Sequence, residues 1–113
     1  HMFKLKNAGK KTNGTSYHGI TIKASANELM ILAENNGCDY SDNSGDVYDK
    51  SQYDFDFEMP EGVVFTVYDW KEYREFDVHE LLRWHIGGNS EYATRVGLKE
   101  LRKQLKYVRD YQL

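Results

Sequence analysis

Tyr53, Phe55, Phe57 and Met59 alternate with Asp54, Asp56 and Glu58, the cleanest period of two in the chain. Successive side chains of a strand point to opposite faces, so this run predicts a strand with one apolar face and one wet face. Pro60-Glu61-Gly62 supplies a turn. Val63 to Trp70 returns as a strand apolar on both faces, which predicts a central place in a sheet. Upstream, Ile20, Ile22 and Ala24 alternate with Thr21 and Lys23 as a further strand. Met2 to Leu5 reads as a short edge strand, Lys6 to Asn13 as a polar, basic connector, and Gly14 to Gly19 as a loop bounded by glycines.

The stretch from Leu82 to Glu91 organises the rest. Leu82, Trp84 and Ile86 alternate with Arg83 and His85, so a strand here turns its apolar set inward and a guanidinium and an imidazole outward. Gly87-Gly88 reads as a turn free to take positive φ, and Asn89 or Ser90 caps the helix that follows. In that helix Ala93, Val96, Leu101, Leu105 and Val108 fall near one side, with Arg95, Lys99, Arg102, Lys106 and Arg109 mostly elsewhere. Gly97 inside it costs about 1 kcal/mol relative to Ala, which predicts a close approach to the sheet.

A second helix starts at Ser25-Ala26-Asn27-Glu28, which has capping-box spacing, continues through Leu29, Ile31, Leu32 and Ala33, and stops at Gly37. Cys38 to Lys50 has neither period and reads as an acidic loop, and Asp69 to Val78 as a charged excursion between strands. The order β-α-β-β-β-α, joined mainly by short turns, predicts the α+β class: an antiparallel sheet of about four strands with two helices packed on it. His1-Met2 reads as a cloning remnant and start, and residues 3–113 as one α+β domain without internal repeats.

Composition narrows the possibilities. A chain of 113 residues supports one real core, and 40% hydrophobic with 29% charged residues is globular rather than disordered. The 14% aromatic share allows a ring-rich core or an exposed recognition surface. No apolar run nears the roughly 18 residues of a membrane helix, and no leader precedes a cleavage site. The single Cys38 makes no internal disulfide, so a cytoplasmic location is expected. A net charge of −3 argues against generic duplex DNA binding. That charge is uneven, with carboxylates crowding Asp39 to Glu58 and cations crowding Arg95 to Arg109.

Two segments carry candidate chemistry. Gly14-Thr15-Ser16-Tyr17-His18-Gly19 offers Thr15, Ser16, His18 and backbone amides to a phosphate or carbonyl. It lacks the lysine of a P-loop and the strand-turn-helix setting of a nucleophile elbow, and a plain loop is the competing reading. Arg83 and His85, on one strand face beside Gly87, Gly88 and Ser90, combine a fixed charge, an imidazole donor and helix amides, suited to a nucleotide phosphate or an acidic side chain. The competing reading is a surface pair bonded to Asp or Glu on a neighbouring strand. Trp70 and Tyr73 are candidates for a stacking surface, whereas Phe55, Phe57 and Phe65 are expected in the core. His18, His79 and His85 with Asp69 or Asp77 follow no ligand spacing, so no metal centre is expected. The acidic loop is no EF-hand: with Gly45 in the sixth position, Tyr40 stands first and Ser51 twelfth.

Gly14 to Gly19, Tyr68-Asp69-Trp70-Lys71-Glu72-Tyr73 and Trp84-His85-Ile86-Gly87-Gly88, in this order, resemble motifs of a group of small, largely uncharacterised tailed-bacteriophage proteins. The resemblance brings no catalytic residues. It implies a small phage protein acting in the cytoplasm of an infected bacterium, where counter-defence by binding is a common occupation. The leading expectation is a non-enzymatic binding protein that sequesters an anionic nucleotide signal through Thr15, Ser16, His18, Trp70, Tyr73, Arg83, His85, Gly87, Gly88 and Ser90, with no cofactor. One alternative is a proteinaceous inhibitor that docks its acidic loop on a defence nuclease or effector. The other is a small phosphoesterase. A homodimer or higher oligomer would let so short a domain bury an aromatic patch. The leading expectation requires the two histidine-bearing segments to meet around one concavity.

Overall fold

The computed structural model describes residues 2–113; His1, which the sequence reads as part of a cloning remnant, lies outside the described residues. The elements are β1 (Lys6–Asn7), a 3-10 turn (Gly9–Thr12), β2 (Ser16–Ala24), α1 (Ala26–Asn35), β3 (Ser41–Asp42), β4 (Tyr53–Glu58), β5 (Val64–Tyr68), β6 (Leu82–Gly88) and α2 (Glu91–Tyr111). They form a six-stranded antiparallel sheet in the order β1-β4-β5-β6-β2, with β3 also pairing β4. The α+β class is as the sequence predicts. The strand count is higher because β1 and β3, two residues each, are too short to show a period. Both lie on the free edge of β4, covering it with short pieces that offer little to an incoming strand.

The central place of β5 follows from its burial, complete from Val64 to Val67. Its register sets Phe65 beside Phe57, and Val67 beside both Phe55 and Ile86, so these apolar side chains share one face. Trp84 joins them, fully buried, donating its indole N–H to the Ala24 carbonyl at 2.8 Å. Both helices pack on that face. At Gly97 a Cβ would lie 2.6 Å from Cγ of Phe65, so the glycine provides the close approach that the sequence suggested. The capping box of α1 forms, with Ser25 Oγ accepting from Glu28 N–H and Glu28 Oε1 accepting from Ser25 N–H. Gly37 follows the helix at φ +68°.

Several local expectations are corrected. Met2 to Leu5 is not a strand: Leu5 is buried with its N–H on Asn36 Oδ1 at 3.0 Å, and pairing begins at Lys6. The loop expected over residues 14–19 ends at Thr15, because Ser16 already pairs Gly88 and Tyr17 pairs Gly87. Gly19, at φ +83°, lies where the β2–β6 register slips between Tyr17 and Thr21, a bulge that needs a left-handed residue. Gly87 and Gly88 are not a turn but the last residues of β6, and neither has positive φ. Their missing side chains are a matter of room: a Cβ on Gly87 would meet Thr66 Oγ1 at 2.6 Å, and one on Gly88 would meet Ala93 Cβ at 3.0 Å. The Val63 to Trp70 strand is trimmed to Val64–Tyr68. Finally, the wet face of β4 is only partly wet, with Asp54 and Asp56 half-buried and Glu58 buried against Lys11.

Candidate functional site on the helix-free face

With both helices on one face, the other face of the sheet is built from the alternate positions of its strands. Asp56, Thr66 and Gly87 pair in one row, and Gly87 pairs onward to Tyr17. In the next row Asp54 pairs Tyr68, Tyr68 pairs His85 and His85 pairs Thr21. Arg83 and Lys23 pair one step further on. Along β6, Gly87, His85 and Arg83 therefore run from a carboxylate-flanked end to a cationic end, about 13 Å at about 3.3 Å per residue.

At the first end lies a groove of about 300 Å³, with Asp54, Asp56, Thr66 and Gly87 on the sheet and Thr15, Ser16 and Trp70 among its walls. Asp54 Oδ1 is buried there without a hydrogen-bond partner. Burial raises the Asp54 carboxyl to about 7, and a hydrogen bond to Asp56 and the charges of Asp56 and Asp69 act in the same direction. Two ionised carboxylates have no donor between them, so Asp54 and Asp56 bond each other only while one of the pair carries a proton. This corrects the expectation that the hydroxyls of residues 14–19 converge on a phosphate: with two aspartates opposite, the groove suits amine and hydroxyl donors, not an anion. Thr15 Oγ1 donates to Thr12 O at 2.7 Å, so its hydroxyl proton is already engaged.

His85 does not line this groove but packs against Tyr68 and Trp70, which do. Its ring stacks on Tyr17 with centroids 3.9 Å apart and planes 15° apart, lies 6.1 Å from the Trp70 ring at 25°, and meets Tyr68 edge-on at 5.5 Å. Burial pushes the imidazole below its ordinary value, so at neutral pH it is a neutral stacked ring and not a second cation. Among the described residues neither His85 nor Arg83 bonds a carboxylate; Arg83 Nη1 donates to Thr21 Oγ1 at 3.5 Å. Trp70, 42% exposed, keeps one ring edge on Tyr68.

The segments of residues 14–19 and 85–90 thus adjoin along the β2–β6 ladder. Thr15, Ser16, Trp70 and Gly87 share the groove, and His85 stands behind Trp70, outside its lining. His18 is exposed and donates Nε2–H to Gly88 O at 2.9 Å, tying the start of β2 to the end of β6. Gly88 and Ser90 serve the start of α2: Ser90 Oγ accepts from Ala93 N–H at 3.1 Å. Tyr73, 48% exposed at φ +51°, borders no groove described for the sheet face. Arg83 walls a separate groove with Arg102 and Lys23. Asp69 is buried and accepts from the backbone N–H groups of Gln52 and Tyr53, clamping β4 to the end of β5.

Sequence reasoning missed Tyr17, Asp54, Asp56, Thr66 and Tyr68. One signal was present: a strand buried on both faces needs cover on its outer side, so the aspartates of the strand paired to it had to face a partly enclosed space. Searches against family models, curated proteins and solved structures find no match to this chain.

Proposed function

We propose that this chain is a non-enzymatic binding protein that sequesters an anionic nucleotide, and that in the phage setting its motifs resemble it withdraws a signal from a host defence. The carrying observation is the graded order on the helix-free face. Donors on a base or ribose meet Asp54 and Asp56, the base stacks on the exposed ring of Trp70, and the phosphate lies beyond His85 at Arg83. The state of His18 favours binding over hydrolysis. Ser16 Oγ is 3.4 Å from His18 Nε2, but that nitrogen carries the proton it donates to Gly88 O and is no base for the hydroxyl. The test is thermal melting with adenine, guanine and cyclic nucleotides at millimolar concentration. A ligand near 100 times its Kd adds about 2.7 kcal/mol. Trp70→Ala should abolish the shift, and no shift with any nucleotide overturns the reading.

A second reading rests on the exposed segment of residues 43–50. Tyr48 is 90% exposed between Asp46 and Asp49, and Asp42, Asp46 and Asp49 each accept from a backbone N–H two residues on, which gives the loop a defined shape. Such a loop suits a basic groove on a nuclease. Neutralising the three aspartates should then abolish inhibition while His85→Ala retains it; the opposite pattern returns the function to the sheet face.

A further inference from the structure

Arg74, Arg95 and Arg109 each hold a carboxylate, on Glu80, Glu91 and Glu28 respectively. The remaining arginines, Arg83 and Arg102, form no salt bridge among the described residues, and both wall the same groove. It lies between the outer strand β2 and helix α2, about 420 Å³ in volume. Lys23, also without a carboxylate partner, lines it beside them. The single acid in its wall, Asp110, is engaged by Lys106 at 2.6 Å. Like charges facing one concavity repel, so the arrangement is relieved by an anion. Guanidinium forks match phosphate oxygens in pairs.

We infer that this groove is an oligophosphate site, formed by Arg83 from the sheet and Arg102 from the helix, and that the sequestered nucleotide carries a chain of two or more phosphates. The second half of the inference rests on the nucleotide reading above; the first does not. Linked phosphates offer each guanidinium its own pair of oxygens, one set to the strand and one to the helix. The volume lies within the roughly 300–1,000 Å³ of small-ligand pockets. The net charge of −3 disfavours a long nucleic-acid strand as the occupant.

The probe is inorganic tripolyphosphate, titrated calorimetrically into the full chain beside pyrophosphate and orthophosphate. The expected order is tripolyphosphate tightest and orthophosphate weakest. Arg102→Ala and Arg83→Ala should each weaken tripolyphosphate about tenfold, roughly one charge-assisted contact. Lys103→Ala, the same charge change on the same helix, should leave it within about twofold. Equal weak binding of all three anions, or an Arg102→Ala variant as tight as the parent, overturns the oligophosphate site. If tripolyphosphate binds as expected but nucleoside triphosphates bind no tighter, the site stands and the nucleotide reading falls. If a nucleoside monophosphate binds in a Trp70-dependent way and tripolyphosphate does not bind, the nucleotide reading stands and this inference falls.

Discussion

Asp54 and His85 flank Tyr68 of β5 in one row of the sheet and titrate with opposite signs. The Asp54 carboxyl is raised to about 7, above its unfolded value of 3.8, so the native state holds the proton more tightly. Its favourable contribution is complete below about pH 4 and is lost as pH rises through 7. Burial lowers the His85 pKa below 6.5, so its contribution is present above that value and is lost as pH falls through the native pKa. Asp54→Asn, whose amide satisfies Asp56 without a charge, should melt higher than the parent at pH 8, by about 1–3 kcal/mol, the usual cost of an unsatisfied buried polar group. Its stability should no longer decline between pH 5 and 8; a calorimetric pH series that retains the decline would remove Asp54 as its source. Gly97→Ala is a second residue-scale case. Helix propensity favours Ala by about 1 kcal/mol, but Phe65 is fully buried and has no room for the new methyl. Overpacking of about 1–3 kcal/mol wins, and urea unfolding should show a net loss.

At the scale of elements, the two helices are strapped together by Arg109 on α2, which forks onto both oxygens of Glu28 on α1 and also donates to Lys23 O on β2. Burial pushes the Glu28 carboxyl up, and the Arg109 guanidinium and the Ser25 amide more than reverse this, leaving it below its ordinary value. That contribution is present above the unfolded value and lost as pH falls through the native one. Arg109→Ala strands a buried carboxylate and should cost about 2 kcal/mol, between the values for exposed and buried pairs because the arginine is itself partly exposed. Adding Glu28→Gln should restore part of the loss, and a double-mutant cycle without coupling would remove the Arg109–Glu28 pair as a strap, leaving packing and the Asn35–Gln112 and Asn36–Gln104 bonds to join the helices.

The open face of the sheet carries its charge as a gradient, from the carboxylates of β4 to Arg83 beyond His85, at the rim of the groove that Arg102 walls from the helix. A ligand seated along that gradient binds through both ends, so its affinity should depend on salt chiefly through the arginine end. Raising salt from about 0.05 to 0.5 M should weaken nucleotide binding in the parent and do so less in Arg83→Ala, since screening acts on the charge that remains. An identical salt slope in both would place the phosphate elsewhere.

The α+β class, the inward faces of β4, β5 and β6, the capping box at Ser25 and the stop at Gly37 were legible in the sequence. Each depends on residues adjacent in the chain: a period of two or 3.6, a hydroxyl three residues before a carboxylate, a glycine after a helix. The candidate site was half legible. Thr15, Ser16, Trp70 and Gly87 were named, but the aspartates opposite them, the Tyr17 ring on His85 and the crowding that requires Gly87 were not. Those features arise from register between strands distant in the chain, and register is decided by how the inner faces pack against the helices. The sequence by itself determined which side chains leave the core; only the tertiary structure decided which of them meet, because a strand's period names a face and not the neighbour across it.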